Sequence, residues 1–477
     1  MKRTIPMLSF FLITIVALGC SDSRVSEPTI DVTDGGAIVK PELAAAQILL
    51  RAGWSLAEGQ TLPANAAERM SIIDEFERSE VAPGIAHYSW ILRVGFDPHD
   101  SIRIHRVVKE QRPWRPIRTR KAIFLQHGDA KDFVGMFLPG LLSGTLPNDF
   151  GAAVFWARSD VDVWGIDQAW NLVPAETTEF DFMADWGIDK QSRDLGTAIA
   201  ISRVVRLLTG NGYAKMILLG YSSGSATGYA LINAETQRPA GLRQVGGWIP
   251  VDFSPVSDNV EWNQTFFCFY IPDYQAQYDS GEYGLSFGFD FMGNLARDDP
   301  EGDSPVFPGF TNLQAAMYLG AGPIFGVGGI HYLAGIWEDD MPVDFQFLTV
   351  DQWLDFMIAG TPWAPLRFIL DYSIWGCMET DVPWDDHFAE ITIPVLNVAA
   401  AGGIGPTTHW CLGLLGSADI SELNIQLRPD DEALYDFGHI DLWMANNAQQ
   451  LVWEPLLQWI VAHSGQGSRD MEYVLGD

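Results

Sequence analysis

KMILLGYSSGSATGYAL, residues Lys215 to Leu231, joins an apolar run to a train of small residues through Gly220-Tyr221-Ser222-Ser223-Gly224. A G-x-S-x-G pentapeptide arises readily by accident in a chain with 46 glycines among 477 residues, so its neighbours must carry the reading. MILLG, from Met216, is short, continuous and apolar, the pattern of a buried strand. SGSATGYALINAE, from Ser223, reads as a helix that starts at once. A strand turning sharply into a helix holds the serine between them at strained angles, with its hydroxyl exposed at the edge of a sheet. Gly220 and Gly224 stand where side chains would collide, and Gly228 lets the helix approach the sheet. The stretch predicts a strand, a nucleophile elbow at Ser222 and a helix.

The same alternation extends outward. HYSWILRVGF (87–96) and IRIHRVVKE (102–110) alternate as strands around a turn at Asp97-Pro98-His99-Asp100. KAIFLQHGD (121–129) and DVDVWGIDQ (160–168) are buried-strand runs, and SRDLGTAIAISRVVRLLT (192–209) has helical spacing. LRQVGGWIPVD (242–252) and ITIPVLNVAA (391–400) complete the set. Strands alternating with helices predict a mostly parallel, doubly wound α/β sheet. Helical patterns are also expected in PELAAAQILLRAGW (41–54) and NAAERMSIIDEFERSE (65–80). Residues 255–387 interrupt the alternation and are rich in aromatic residues, Gly and Pro, so they are expected to form an inserted cap.

Composition narrows the function. A formal net charge of −32 argues against nucleic acid and against electrostatic docking on anionic lipid. At 47% hydrophobic and 19% charged residues the chain is globular in character. Lys2 and Arg3 precede an apolar segment from Ile5 to Leu18, too short and interrupted for a good spanning helix. With VALGC ending at Cys20, it resembles a bacterial lipoprotein signal, although Ala17 stands where Leu is more usual. That resemblance implies cleavage before Cys20, lipidation of Cys20, export and anchoring to a membrane, with Ser21 favouring the outer membrane. The remaining cysteines, Cys268, Cys377 and Cys411, allow at most one internal disulfide and show no zinc-site spacing. RDDPEGDSP (297–305) lacks calcium-loop spacing, and WDDHF (384–388) is no metal site, so neither metal nor cofactor is expected.

A nucleophilic serine needs a base. Of the nine histidines, His439 lies in a loop after the strand LNIQLRP (423–429) and before a C-terminal helix. Its rival, His127, directly follows a strand and precedes Gly128, a place suited to a loop whose backbone donates to an oxyanion. These motifs together resemble the α/β-hydrolases, with local similarity to the acid (gastric and lysosomal) lipases. FLQHG resembles their oxyanion strand, DVWGIDQAWN their D-V-W block, and GHIDLWMANNAQQLVWEPLLQWI their histidine block. The likeness covers roughly residues 87–254 and 390–463. It implies an α/β-hydrolase fold organised as a signal (1–19), a tether and helical segment (20–84), a core in two parts (85–254 and 388–477) and the cap (255–387).

Carried over residue by residue, the resemblance makes Ser222 the nucleophile and His439 the base, with the backbone N–H groups of Ser223 and Asp129 receiving the oxyanion. Acid lipases carry an apolar residue at the position of Asp129, so its carboxylate is expected to point away. The triad acid departs from the family: AAAGGIGPTTHW (399–410) offers no carboxylate where one is usual. Pancreatic-type lipases take theirs from the preceding strand, where WIPVDFSPV supplies Asp252. Asp419 is the second choice, and Asp441 is placed to brace the histidine loop. The function implied is a serine hydrolase cleaving small carboxylic esters with apolar acyl or aryl groups. The alternatives are an amide, thioester or carbon–carbon hydrolase on the same triad, or an inactive binding protein. The cap is expected to supply walls, with Tyr318, Phe325, Tyr332 and Trp337 among them, while the reacting residues stand on core loops.

Overall fold

Backbone pairing brings the apolar runs side by side. The computed structural model describes residues 73–464, Phe96 excepted. The signal, Cys20 and the helix expected at 41–54 lie outside the described residues. Nine principal strands form one sheet: β1 (Ile73–Ala82), β2 (Ile85–Arg93), β3 (Ser101–Arg112), β4 (Ala122–Gln126), β5 (Asp162–Asp167), β6 (Met216–Tyr221), β7 (Val245–Val251), β8 (Val395–Ala400) and β9 (Ile420–Ile425). Their spatial order is β1-β2-β3-β5-β4-β6-β7-β8-β9. Pairing is antiparallel from β1 through β3 to β5 and parallel from β5 to β9.

Alternation along each strand separates two apolar layers. Phe124, Trp164 and Leu218 pack on one face with Leu195 and Ile199 of α1 (Ile188–Leu208) and Ala226 and Ala230 of α2 (Ser223–Thr236). Ile123, Leu125, Val163 and Leu219 pack on the other face with Trp156, Leu456 and Ile460. The first residue of β5, Asp162, is fully buried between Arg106 and Arg206, with Arg106 Nε 2.7 Å from its carboxylate. Removing Asp162 alone would strand two buried guanidinium groups, a far larger cost than the net worth of the cluster.

The helix expected over 65–80 is overturned from Ile73 onward, where the chain forms β1. Arg78 pairs across to Tyr88 and Ser79 to His87. Phe76 stacks on Trp90 with ring centroids 6.0 Å apart, whereas Glu75 and Glu77 face solvent. EFER therefore alternates with period two, and pairing with β2 outweighs the helix propensity of its glutamates.

Between β7 and β8 the chain builds helices α3 (Phe289–Asp298), α4 (Asn312–Ala321), α5 (Val350–Ile358) and α6 (Leu366–Cys377), with two short antiparallel ribbons. Thr311 and Thr349 close capping boxes at α4 and α5. A disulfide joins Cys268 to Cys377 across 109 residues, and Cys411 is free and buried. Replacing both bridged cysteines by alanine should lower stability by up to about 5 kcal/mol on the loop-entropy account, read as an earlier urea midpoint. An unchanged midpoint would show that the insertion holds without its bridge.

Candidate active site

Strand order reverses around β4: the chain leaves it for β5 on one side and returns to β6 on the other. The crevice beyond the carboxyl ends of strands at such a reversal is where α/β sheets bind ligands. β4 exits there into His127-Gly128-Asp129, and β6 exits into Ser222. Ser222 has φ +55° and ψ −135°, a strained conformation for a residue with a side chain. Its N–H donates to Val251 O at 3.1 Å, and its carbonyl accepts from Ser225 N at 2.8 Å. The elbow is crowded on both sides. A Cβ on Gly224 would lie 2.3 Å from His127 O, and one on Gly228 would lie 2.1 Å from the Trp248 ring. Gly224→Ala should therefore push the β4 exit loop away from Ser222 and cut turnover by about tenfold or more. Retained turnover would mean that the loop yields freely.

β7 ends one residue before Asp252, whose φ of +53° turns its carboxylate back under the sheet edge. Oδ1 accepts from Ala400 N at 2.7 Å, and Oδ2 accepts from Ile404 N at 3.0 Å. Oδ2 also lies 2.7 Å from His439 Nδ1. Both residues are buried, and His439 Nε2 has no hydrogen-bond partner among the described residues. A ring held through Nδ1 keeps Nε2 as the nitrogen able to take a proton. The His439 ring stacks on Tyr221 at 4.6 Å, and Tyr221 donates its hydroxyl to His439 O at 3.1 Å.

The loop bearing His439 rests on the insertion. His439 N donates to His331 O at 3.0 Å, and Ile440 N donates to Tyr332 O at 2.8 Å. Asp441 ties the two segments by accepting from Gly438 N at 2.8 Å and Ala334 N at 2.9 Å. Burial pushes the Asp441 carboxyl up to about 7. Asp419 lies elsewhere: it precedes β9, at the strand's amino end, with its carboxylate 3.4 Å from His463 Nε2. His127 is buried, with Nδ1 2.7 Å from Gly128 O, so its ring belongs to the framework of the β4 exit loop.

Ser222, His439, Asp129 and Ser223 line one cavity of about 80 Å³, walled by Phe253, Phe266, Tyr332, Phe356, Tyr372 and Ile404. The N–H groups of Asp129 and Ser223 donate no hydrogen bond among the described residues. A larger depression, about 510 Å³, lies along residues 343–351 and Asn446 and contains none of these groups.

Two ionisable side chains were not read from the sequence as cavity groups. The Asp129 carboxyl does not turn away: it faces the cavity, where Oδ1 accepts from Ser223 Oγ at 2.7 Å and Oδ2 accepts from Tyr372 Oη at 3.2 Å. The two hydroxyls, one from the elbow and one from α6, supply the donors that turn it inward. Lys131 also lines the cavity, its ammonium 3.9 Å from the Phe356 ring centroid and bonded to Phe356 O. Burial pushes that ammonium down to about 7. Of the aromatic residues expected as walls, Tyr332 is one. Tyr318 packs instead on Phe307, Phe310 and Trp337, within the insertion's own apolar interior, and the Phe325 side chain lies outside the description. Aromatic content marks an apolar interior, but which ring reaches a cavity depends on tertiary packing.

No family model matches the chain, and no curated protein does. Solved structures do. One from Sulfolobus solfataricus, provisionally assigned as a lipase, aligns over 82% of this chain and 99% of its own at 15% identity, with a TM-score of 0.57. A soluble variant of monoglyceride lipase from Saccharomyces cerevisiae aligns over 78% and 94% at 11% identity and TM-score 0.42. An esterase from Exiguobacterium antarcticum aligns over 76% and 96% at 11% identity and TM-score 0.36. The mostly parallel sheet, its strand order and the first of these likenesses define the chain's architecture. It has the α/β-hydrolase fold.

Proposed function

We propose that the protein is a serine hydrolase cleaving carboxylic esters with apolar acyl or aryl groups. The observation that carries this reading is one cavity holding Ser222 on its strained elbow and His439, whose Nδ1 lies 2.7 Å from Asp252. In this reading Ser222 Oγ attacks the ester carbon as His439 Nε2 takes its proton. The N–H groups of Asp129 and Ser223 hold the oxyanion, and the imidazolium then returns the proton to the departing alcohol. Asp252 fixes the ring's tautomer and stabilises its charged form. Water enters by the same route to release the acid. The aromatic walls favour apolar substituents and limit water around the acyl-enzyme.

We place this enzyme outside the cytoplasm, held by a lipid on Cys20. The disulfide between Cys268 and Cys377 supports export, since such bridges persist in oxidising compartments. A fluorophosphonate probe tests the activity: it should label the wild-type chain at Ser222 and leave Ser222→Ala unlabelled. Failure of the wild-type protein to label would favour a binding protein on the same scaffold.

A further inference from the structure

The carboxyl of Asp129 is the one acidic side chain in the cavity that the mechanism above leaves unused. It stands on the residue whose N–H is to receive the oxyanion, and its Oδ1 bonds the hydroxyl of the residue supplying the other N–H, Ser223. We propose that Asp129 is a catalytic residue in its uncharged form, so that turnover belongs to acidic conditions and fails as this carboxyl ionises. The inference rests on the serine-hydrolase reading and adds a second acid–base group to it.

The physical reason is charge. Attack on the ester creates a negative oxygen beside the Asp129 and Ser223 N–H groups, inside a cavity with apolar walls. A carboxylate attached to one of those donors opposes that charge in a medium that screens it poorly. A neutral carboxyl does not oppose it and carries an O–H of its own to offer. Burial raises the Asp129 carboxyl to about 6, against the hydrogen bonds from Ser223 and Tyr372 and the nearby His439, which favour its ionised form. Among the described residues, the other titratable groups that line the cavity or lie near this carboxyl are the hydroxyls of Tyr221, Tyr332 and Tyr274, all pushed up by burial, and the Lys131 ammonium two residues along the same loop. None of the four is a carboxylate that could take the ionisation in its place.

His439 must be neutral to accept the Ser222 proton, so the descending limb is the one that reports on Asp129. The test is kcat/KM of the full chain on a neutral short-chain ester, followed by pH-stat from about pH 5 to about pH 9. Wild-type protein should show a descending limb near pH 6, falling about tenfold per pH unit beyond it. Asp129→Asn, still able to accept from Ser223, should lose that limb and exceed wild type by about tenfold or more at about pH 8. Tyr372→Phe removes a donor that favours the ionised carboxyl, so its limb should move to higher pH, which a packing role alone would not produce.

A wild-type profile that rises through neutrality to a plateau would overturn the proposal. So would a folded Asp129→Asn with the wild-type profile, or a Tyr372→Phe limb that stays or moves to lower pH. The underlying reading fails separately, through a Ser222 that no fluorophosphonate labels at any pH. Labelling without the limb removes only the role of Asp129.

Discussion

Ser222→Ala is expected to abolish ester turnover, a loss on the order of a million-fold in kcat, while the melting temperature stays within a few degrees of wild type. The side chain loses one oxygen at a turn whose backbone is fixed by Val251 O and by the start of α2. Alanine tolerates φ of +55° no better than serine, so the strain is common to both and folding is barely affected. His439→Ala should be nearly as damaging, and the double variant little worse than either, because the two residues act as a unit. Its stability cost should be larger, since the ring covers Tyr221. Steady-state kinetics with thermal melts measure all three. Turnover in Ser222→Ala near the wild-type rate would remove Ser222 from the reaction.

Asp252→Asn is expected to cost three to four powers of ten in kcat, about 4 to 5 kcal/mol of barrier. The carboxylate's two oxygens face three donors: Ala400 N, Ile404 N and His439 Nδ1. An asparagine has one oxygen and one NH2 for the same places. With the NH2 toward His439, it also meets the Ile404 N–H, Nδ1 must become the acceptor and Nε2 carries the proton, so the ring can no longer serve as a base. With the NH2 toward Ala400, two donors meet in a buried place, at about 1–3 kcal/mol of stability. The kinetics separate these outcomes, and a thermal melt reads the donor clash common to both. Asp419→Asn should leave turnover unchanged within about twofold, because its exposed carboxylate stands at the amino end of β9. A crippled Asp419→Asn with a mild Asp252→Asn would reverse the assignment of the acid.

Much of the sheet was legible because its parallel strands are buried on both faces and read as unbroken apolar runs. The elbow was legible for a different reason: G-x-S-x-G needs its small residues through steric collision, and collision is written into sequence. Asp252 could be nominated from its position at a strand end. Its partners at Ala400 and Ile404 could not, because they meet it only through the folding of β8 beside β7. β1 was misread where charged residues carry helix propensity and a period-two pattern at once, so that a neighbouring strand decides between them. The orientation of the Asp129 carboxyl was misjudged because its donors, Ser223 and Tyr372, lie 94 and 243 residues away. No local pattern encodes such a meeting.

On the proposed mechanism, the seat of the His439 loop on the carbonyls of His331 and Tyr332 makes catalysis depend on a segment that carries none of the proposed reacting groups. Trimming away residues 255–387 would take that seat with it, so a bare sheet would not be a minimal enzyme. On that mechanism, a chain whose strands have paired, but whose insertion has not docked, would hold Ser222 and lack a placed His439. On the proposed mechanism, such a half-built molecule would be silent toward esters. In graded urea, activity should therefore vanish before the circular dichroism of the sheet changes.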